Sequence, residues 1–344
     1  MESAVNVVFI FIVVILALFF CATNGFHDAS STIATLIGSK TATPIQAVLL
    51  ASVSNLVGAL VGGSAVVYTI QSLTFISHPQ LLVICLFSAT LSAVVWNIIT
   101  WKYGLPSSST HAFIGGLIGA TIPVGGIEAL NWGIDSVLAP SPSLDGILKV
   151  FVLLATSIVV GLAGGYLLMK TTTMVLRKST RSANKSVRKV QWITASLLSF
   201  SHGANDTQKQ ISIIMIVFAS SGFLVQSDVH LGIRLACALA MAVGTMFGGW
   251  RIVRTLAVKI YRIGPLHSLN SQSVSTAAVL FSTIAGAPVS TTHVVSASII
   301  GIGTAENAKM VDWTLGKEIF VSWLLTFPIT MLISGLLSLM LTVI

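Results

Sequence analysis

Two short polar strings recur about half a chain apart inside otherwise apolar sequence. Asn24-Gly25-Phe26-His27-Asp28 answers Ser201-His202-Gly203-Ala204-Asn205-Asp206, and the run from Gly104 to His111 answers the run from Gly286 to His293. The apolar stretches between them approach membrane-spanning length, and a bilayer interior holds no water to satisfy polar groups. With 344 residues, 54% apolar and only 8% charged, the chain has too little charge to coat a soluble globule of its size. An all-α polytopic membrane protein follows. A chain that places the same polar groups in lipid twice is expected to build one binding site from two copies.

The run from Ala4 to Ala22 has no basic leader and no small-residue cleavage pattern, so it is expected to be a retained helix rather than a signal peptide. Cys21, Cys85 and Cys237 each sit in an apolar run, as free buried thiols do. The net charge is +8, and Lys170, Arg177, Lys178, Arg181, Lys185, Arg188 and Lys189 crowd one acid-free stretch. The positive-inside rule makes residues 170–189 a cytoplasmic linker between a first repeat, 1–169, and a second, 190–344. A nucleic-acid patch is the less favoured reading of these charges, because basic loops beside membrane helices are usual.

Three blocks repeat in one order at nearly one offset: Gly25 with Gly203, the GxxxG of Gly58 and Gly62 with that of Gly244 and Gly248, and Pro106 with Pro288. Duplicated units with interrupted helices are the common plan of secondary transporters, with the substrate held where the repeats meet. The expected fold is two homologous, inverted repeats with broken helices. The hydroxyl-rich runs 107–120 and 289–303, each entered through Gly-x-Pro, are read as two re-entrant helical hairpins. The GxxxG pairs are read as packing surfaces.

Of ten acids, Glu128, Asp135, Asp145, Asp228, Glu306, Asp312 and Glu318 fall where loops are expected and Glu2 is terminal, leaving Asp28 and Asp206 in spanning sequence. Each costs about 2.5–3.5 kcal/mol at the bilayer centre unless neutralised or wet. A proton, Na⁺ or a divalent metal is the expected compensation; a purely structural role explains one such acid more easily than a matched pair. Asn24, Asn205, Gln208 and Gln210 offer neutral oxygens of the kind hard cations prefer, beside glycines that permit a chain break. His27 and His202 are either ligands, proton carriers or hydrogen-bonded packing residues. Lys209 either contacts an anion or reaches the interface, and the interface is favoured.

The second string has anion chemistry. After Pro106, Ser107, Ser108, Ser109 and Thr110 open a new helix; after Pro288, Ser290, Thr291 and Thr292 do the same. Free backbone N–H groups and hydroxyls at a helix start suit an oxyanion, although plain N-capping uses the same residues.

Taken together, these two string pairs, with Gln208-Lys209 and Gly248-Gly249-Trp250-Arg251, resemble the inorganic phosphate transporter (Pit) family, more closely its bacterial low-affinity branch. The likeness spans nearly the whole chain. It implies phosphate uptake by symport through inverted repeats, in a homo-oligomer, dimer or trimer, in the bacterial cytoplasmic membrane. It implies that Asp28, Asn205 and Asp206 help bind the coupling cation, and that Ser107–Thr110 and Ser290–Thr292 bind phosphate. Sodium-coupled members carry glutamates where this chain has Asn55 and Gln272, so H⁺ is preferred over Na⁺, with Mg²⁺ as a metal that can travel with phosphate. The asparagine usual three residues after the first aspartate is Ser31 here. No cofactor is implied and no enzyme activity. The alternatives are a sulfate permease of the same family, a metal-dependent intramembrane hydrolase, which lacks any HExxH, and a cation channel, which leaves the Ser/Thr strings unexplained.

Overall fold

The structure, a computed structural model, describes residues 6–179, 182–224 and 229–343; Glu2, Arg181 and Asp228 lie outside the described residues. The first half contains α1 (Val7–His27), α2 (Ala29–Gly38), α3 (Pro44–Val61), α4 (Ala65–Gln71), α5 (Pro79–Tyr103), α6 (Ser109–Gly125), α7 (Ile134–Leu138) and α8 (Gly146–Val175). The second contains α9 (Ala183–Ser220), α10 (Leu231–Phe247), α11 (Trp250–Arg254), α12 (Pro265–Ile284), α13 (Thr291–Asn307) and α14 (Trp313–Val343). No strand forms among the described residues. By length and composition, five helical stretches among the described residues suffice to cross a membrane, and the bent pair Leu231–Phe247 and Trp250–Lys259 makes up to six. Large apolar side chains such as Phe11, Phe19, Leu167, Phe247 and Leu332 are exposed on the outside, as expected where the surrounding medium is lipid.

Local chemistry sets the helix starts. Pro44, Pro79 and Pro265 each open a helix, where a missing N–H costs nothing. Thr43 and Gln46 cap α3 reciprocally, each side chain accepting from the other's backbone N–H. The runs 107–120 and 289–303 are not hairpins in themselves: each feeds a single helix, α6 or α13, because nothing within it turns the chain back. Each of these helices instead packs on the one before it, α5 or α12, across a turn at Gly104 (φ 68°) or Gly286 (φ 69°), left-handed positions that favour glycine.

Helix contacts come in pairs that exchange under a swap of α1 with α9, α3 with α10, α5 with α12, α6 with α13, and α8 with α14. Thus α1 packs on α10 as α9 packs on α3, α6 on α14 as α13 on α8, and α5 on α14 as α12 on α8. Most of these contacts join one half to the other. At Gly58 an added Cβ would lie 2.0 Å from the Phe200 carbonyl oxygen, and at Gly244 2.1 Å from that of Ala22, so only glycine permits these approaches. Gly58, Gly62 and Gly244 are therefore packing positions, whereas Gly248, at φ 60° with only Trp250 near its missing Cβ, serves the bend after α10.

The helix breaks differ from expectation. The second polar string lies inside an unbroken helix of 38 residues, about 57 Å long at 1.5 Å per residue. The junction of α1 and α2 keeps helical dihedrals at Asp28, φ −80° and ψ −36°. Backbone hydrogen bonding continues on both sides of it, so little backbone is freed there. Gly203 and Gly25 serve close approach instead: a Cβ would meet the Asn55 oxygen at 2.2 Å and the Met241 oxygen at 2.4 Å. The sharp bend, 59°, falls between α10 and α11 at Gly248. Four acids expected in loops sit on helices: Glu128 on the 3-10 turn Ile127–Ala129, Asp135 on α7, Glu318 near the start of α14, and Glu306 at the end of α13. Glu306 accepts from Tyr261 at 2.7 Å and pairs with His267 at 2.6 Å.

Helix α9 touches α1, α2, α3, α4, α5, α10 and α12, which makes it the central post of the bundle. All ten residues from Ser201 to Gln210 are buried. Leu198 below them belongs to one apolar cluster and Ile211 above them to another. Along the first half, Cys21 and Ile33 stand on either side of the first string in the same way. The strings thus meet in a polar layer between two apolar ones.

Candidate functional site

Asp28 is 3% exposed, and donors from three elements surround its carboxylate. His27 Nδ1 lies 2.7 Å from Oδ1, Thr292 at the start of α13 donates to Oδ1 at 3.1 Å, and Ser109 at the start of α6 donates to Oδ2. On its far side, His27 Nε2 is 3.0 Å from Thr100 Oγ1 and 3.4 Å from Ser107 Oγ, hydroxyls able to accept from the ring or donate to it. The short Nδ1 to Oδ1 contact needs one proton between its two atoms, carried by the imidazole or by the carboxyl. His27 and Asp28 thus hold one proton in common.

Asp206 faces the first string from α9. Asn24 Nδ2 donates to Asp206 Oδ2 at 3.0 Å, and Lys209 Nζ lies 3.1 Å from the same oxygen. His202 Nδ1 stands 3.6 Å from that oxygen and 3.3 Å from Thr291 Oγ1. The Oδ1 atoms of Asp206 and Asn24 and both amide atoms of Gln210 are buried without a partner. Lys209 corrects the sequence reading: it is fully buried and donates to Ser109 Oγ at 3.2 Å and Thr110 Oγ1 at 2.8 Å. Its three-residue spacing from Asp206 on a helix was the available signal, since such residues share a face.

The two hydroxyl strings meet. Thr110 donates to the Val289 carbonyl at 3.0 Å, and the rings of His111 and His293 lie 4.5 Å apart, with His293 4.0 Å from Trp323. The hydroxyls divide by task. Ser108 and Ser290 accept from the N–H of His111 and His293 and so cap α6 and α13. Ser107 donates to Thr100 at 2.9 Å. Ser109, Thr110, Thr291 and Thr292 face the acids, Lys209 and His202.

Two residues read as ligands have their amides committed elsewhere. Asn205 ties down the turn of the second hairpin, donating to Thr283 and to the Ala287 carbonyl, both at 2.9 Å, and accepting from Val289 N at 3.2 Å. Gln208 accepts from Val66 N at 2.8 Å and Val67 N at 3.2 Å at the start of α4 and donates to the Gly62 carbonyl at 2.9 Å. Asn55 donates to Thr245 at 3.1 Å, and Gln272 bonds Thr194, Thr35 and Ser268. Sequence reasoning missed Thr100, which orients His27. Among the described residues no group of three or more His, Cys, Asp or Glu could hold a metal ion.

Residues 24–334, which include both strings of both halves, match the family described as the phosphate transporter family. The chain belongs to that family. Among phosphate transporter relatives, a "Probable low-affinity inorganic phosphate transporter" of Bacillus subtilis is 36% identical over 324 residues, covering 93% of each chain. One of the same description from Rhizobium meliloti is 35% identical over 325 residues, 93% of this chain and 92% of its own. A third, from Mycobacterium bovis, is 38% identical over 328 residues, 94% of this chain and 75% of its own. A solved structure described as "The sodium-dependent phosphate transporter" superposes with a TM-score of 0.86 at 22% identity, covering 98% of this chain and all of the other. That likeness establishes a shared fold. The relatives are transporters, not enzymes, which sets aside the hydrolase reading.

Proposed function

We propose that the chain takes up inorganic phosphate by symport with H⁺, by alternating access, in the bacterial cytoplasmic membrane. One observation carries the reading: Ser109 from one hairpin and Thr292 from the other both donate to Asp28, which holds a proton in common with His27. Hydroxyls at paired helix starts are the donors a phosphate would use, and a carboxylate already occupies them. Anion and carboxylate compete for the same hydrogens. A proton settled on Asp28 weakens its hold on both hydroxyls and offsets the charge of the arriving phosphate, so each favours the other. An isolated charge is costly to move through lipid, which restricts reorientation to the empty or fully loaded site.

The exchange-related helix contacts support two repeats; we read them as inverted, with α5–α6 and α12–α13 as re-entrant hairpins and 170–189, whose ends continue α8 and α9, as a cytoplasmic linker. Phosphate accompanied by Mg²⁺ as a neutral complex is the variant of this cargo that carries its own counter-charge. Uptake of labelled phosphate into proteoliposomes, under an imposed pH or Na⁺ gradient, with and without Mg²⁺, tests the reading. An inside-alkaline gradient is expected to drive accumulation, and Asp28→Asn to abolish it. Accumulation that follows Na⁺ and ignores pH would replace H⁺ as the coupling ion.

A further inference from the structure

The two buried acids are not equivalent. Asp28 contacts hydroxyls and the His27 imidazole, with which it holds one proton in common, whereas Asp206 is ion-paired to Lys209, a full cation fixed three residues along the same helix. Lys209 is completely buried, and its ammonium has three acceptors within bonding distance: Asp206 Oδ2 at 3.1 Å, Thr110 Oγ1 at 2.8 Å and Ser109 Oγ at 3.2 Å. Those match its three N–H groups, so none is left over. One carboxylate oxygen and two hydroxyl oxygens around a single positive charge are also the ligand set of a monovalent metal ion.

We infer that Lys209 is a built-in counter-cation, holding at Asp206 the position that a dissociable monovalent ion would otherwise fill. Asp206 therefore keeps its compensating charge throughout, and only Asp28 gains and loses a cation. The ammonium also sets hydrogen-bond direction. Because Ser109 and Thr110 accept from Lys209, each must donate onward, Ser109 to Asp28 and Thr110 to the Val289 carbonyl. Lys209 thus orients the very hydroxyls read as phosphate donors. Its transport consequence rests on the symport reading; its ion-binding consequence does not.

Removing the tether should open an ion site. In Lys209→Ala the Asp206 carboxylate loses its only strong cation, and the unpartnered Oδ1 atoms of Asp206 and Asn24 add oxygens for a replacement. Thermal unfolding of the purified full-length protein in detergent, without phosphate, is measured in choline chloride and in NaCl, KCl or NH₄Cl of equal concentration. Wild type is expected to show the same midpoint in all four. K209A is expected to unfold earlier in choline and to regain several degrees with at least one small cation, since a ligand of the folded state alone raises its stability. In proteoliposomes K209A should lose most phosphate uptake in choline and recover part of it with the cation that stabilises it.

A folded K209A whose midpoint is indifferent to all three cations overturns the inference. So does a wild type whose midpoint rises with them as much as that of K209A. If K209A cannot be isolated, the neutral pair Asp206→Asn with Lys209→Met decides: it must fold and show no cation response, and failure to fold counts against Lys209 as a charge partner. Absence of phosphate uptake by wild type, with the thermal pattern intact, would sink the symport reading and leave the tethered cation standing.

Discussion

At the scale of single residues, neighbouring serines in one string do different work. Ser108 and Ser290 satisfy backbone donors of their own helices, while Ser109 and Thr292 reach across to Asp28. Ser108→Ala is therefore expected to cost about 1 kcal/mol of stability, as lost N-caps do, with little change in the KM for phosphate. Ser109→Ala and Thr292→Ala should each raise that KM or lower the maximal rate several-fold at near-normal thermal stability. Uptake kinetics beside unfolding midpoints separate the two classes; equal kinetic losses in S108A and S109A would refute the division. That the strings matter was legible from their recurrence, because lipid penalises polar groups twice over. Which hydroxyl caps and which projects was not, since both roles select the same residue types. Lys209 was misjudged because a lysine in apolar sequence reaches the interface more often than it finds a buried acid.

At the scale of helices, the glycines are explained by proximity. Gly58→Ala and Gly244→Ala place a methyl within about 2 Å of backbone that cannot move aside, so each is expected to destabilise by about 1–3 kcal/mol. Gly316→Ala on α14 is the control: its added carbon finds nothing nearer than 4.0 Å, and midpoint and expression should hold. A G58A protein as heat-stable as wild type would show that α3 and α9 are free to separate. Hairpin turns and helix starts were legible, because Gly104, Pro106, Gly286 and Pro288 leave a chain few conformations. The continuity of α9 through Gly203 was not. A glycine in an apolar run signals either a break or a tight crossing, and only the facing Asn55 backbone distinguishes them.

At the scale of the whole chain, the halves interleave. Helix α1 lies on α10, α3 on α9, α6 on α14 and α8 on α13, so each half buries its polar layer against the other. Fragments 1–178 and 182–344 produced separately are expected to be degraded, whereas their co-expression should restore phosphate uptake. Stable insertion of either fragment alone, seen by protease resistance in membranes, would contradict this. The contact between Thr110 and the Val289 carbonyl has a consequence at this scale. It is the clasp where the two hairpin tips shake hands, with His111 and His293 stacked beside it. A hydroxyl has one hydrogen to give, so any solute that borrows it from Thr110 does so at the expense of that clasp.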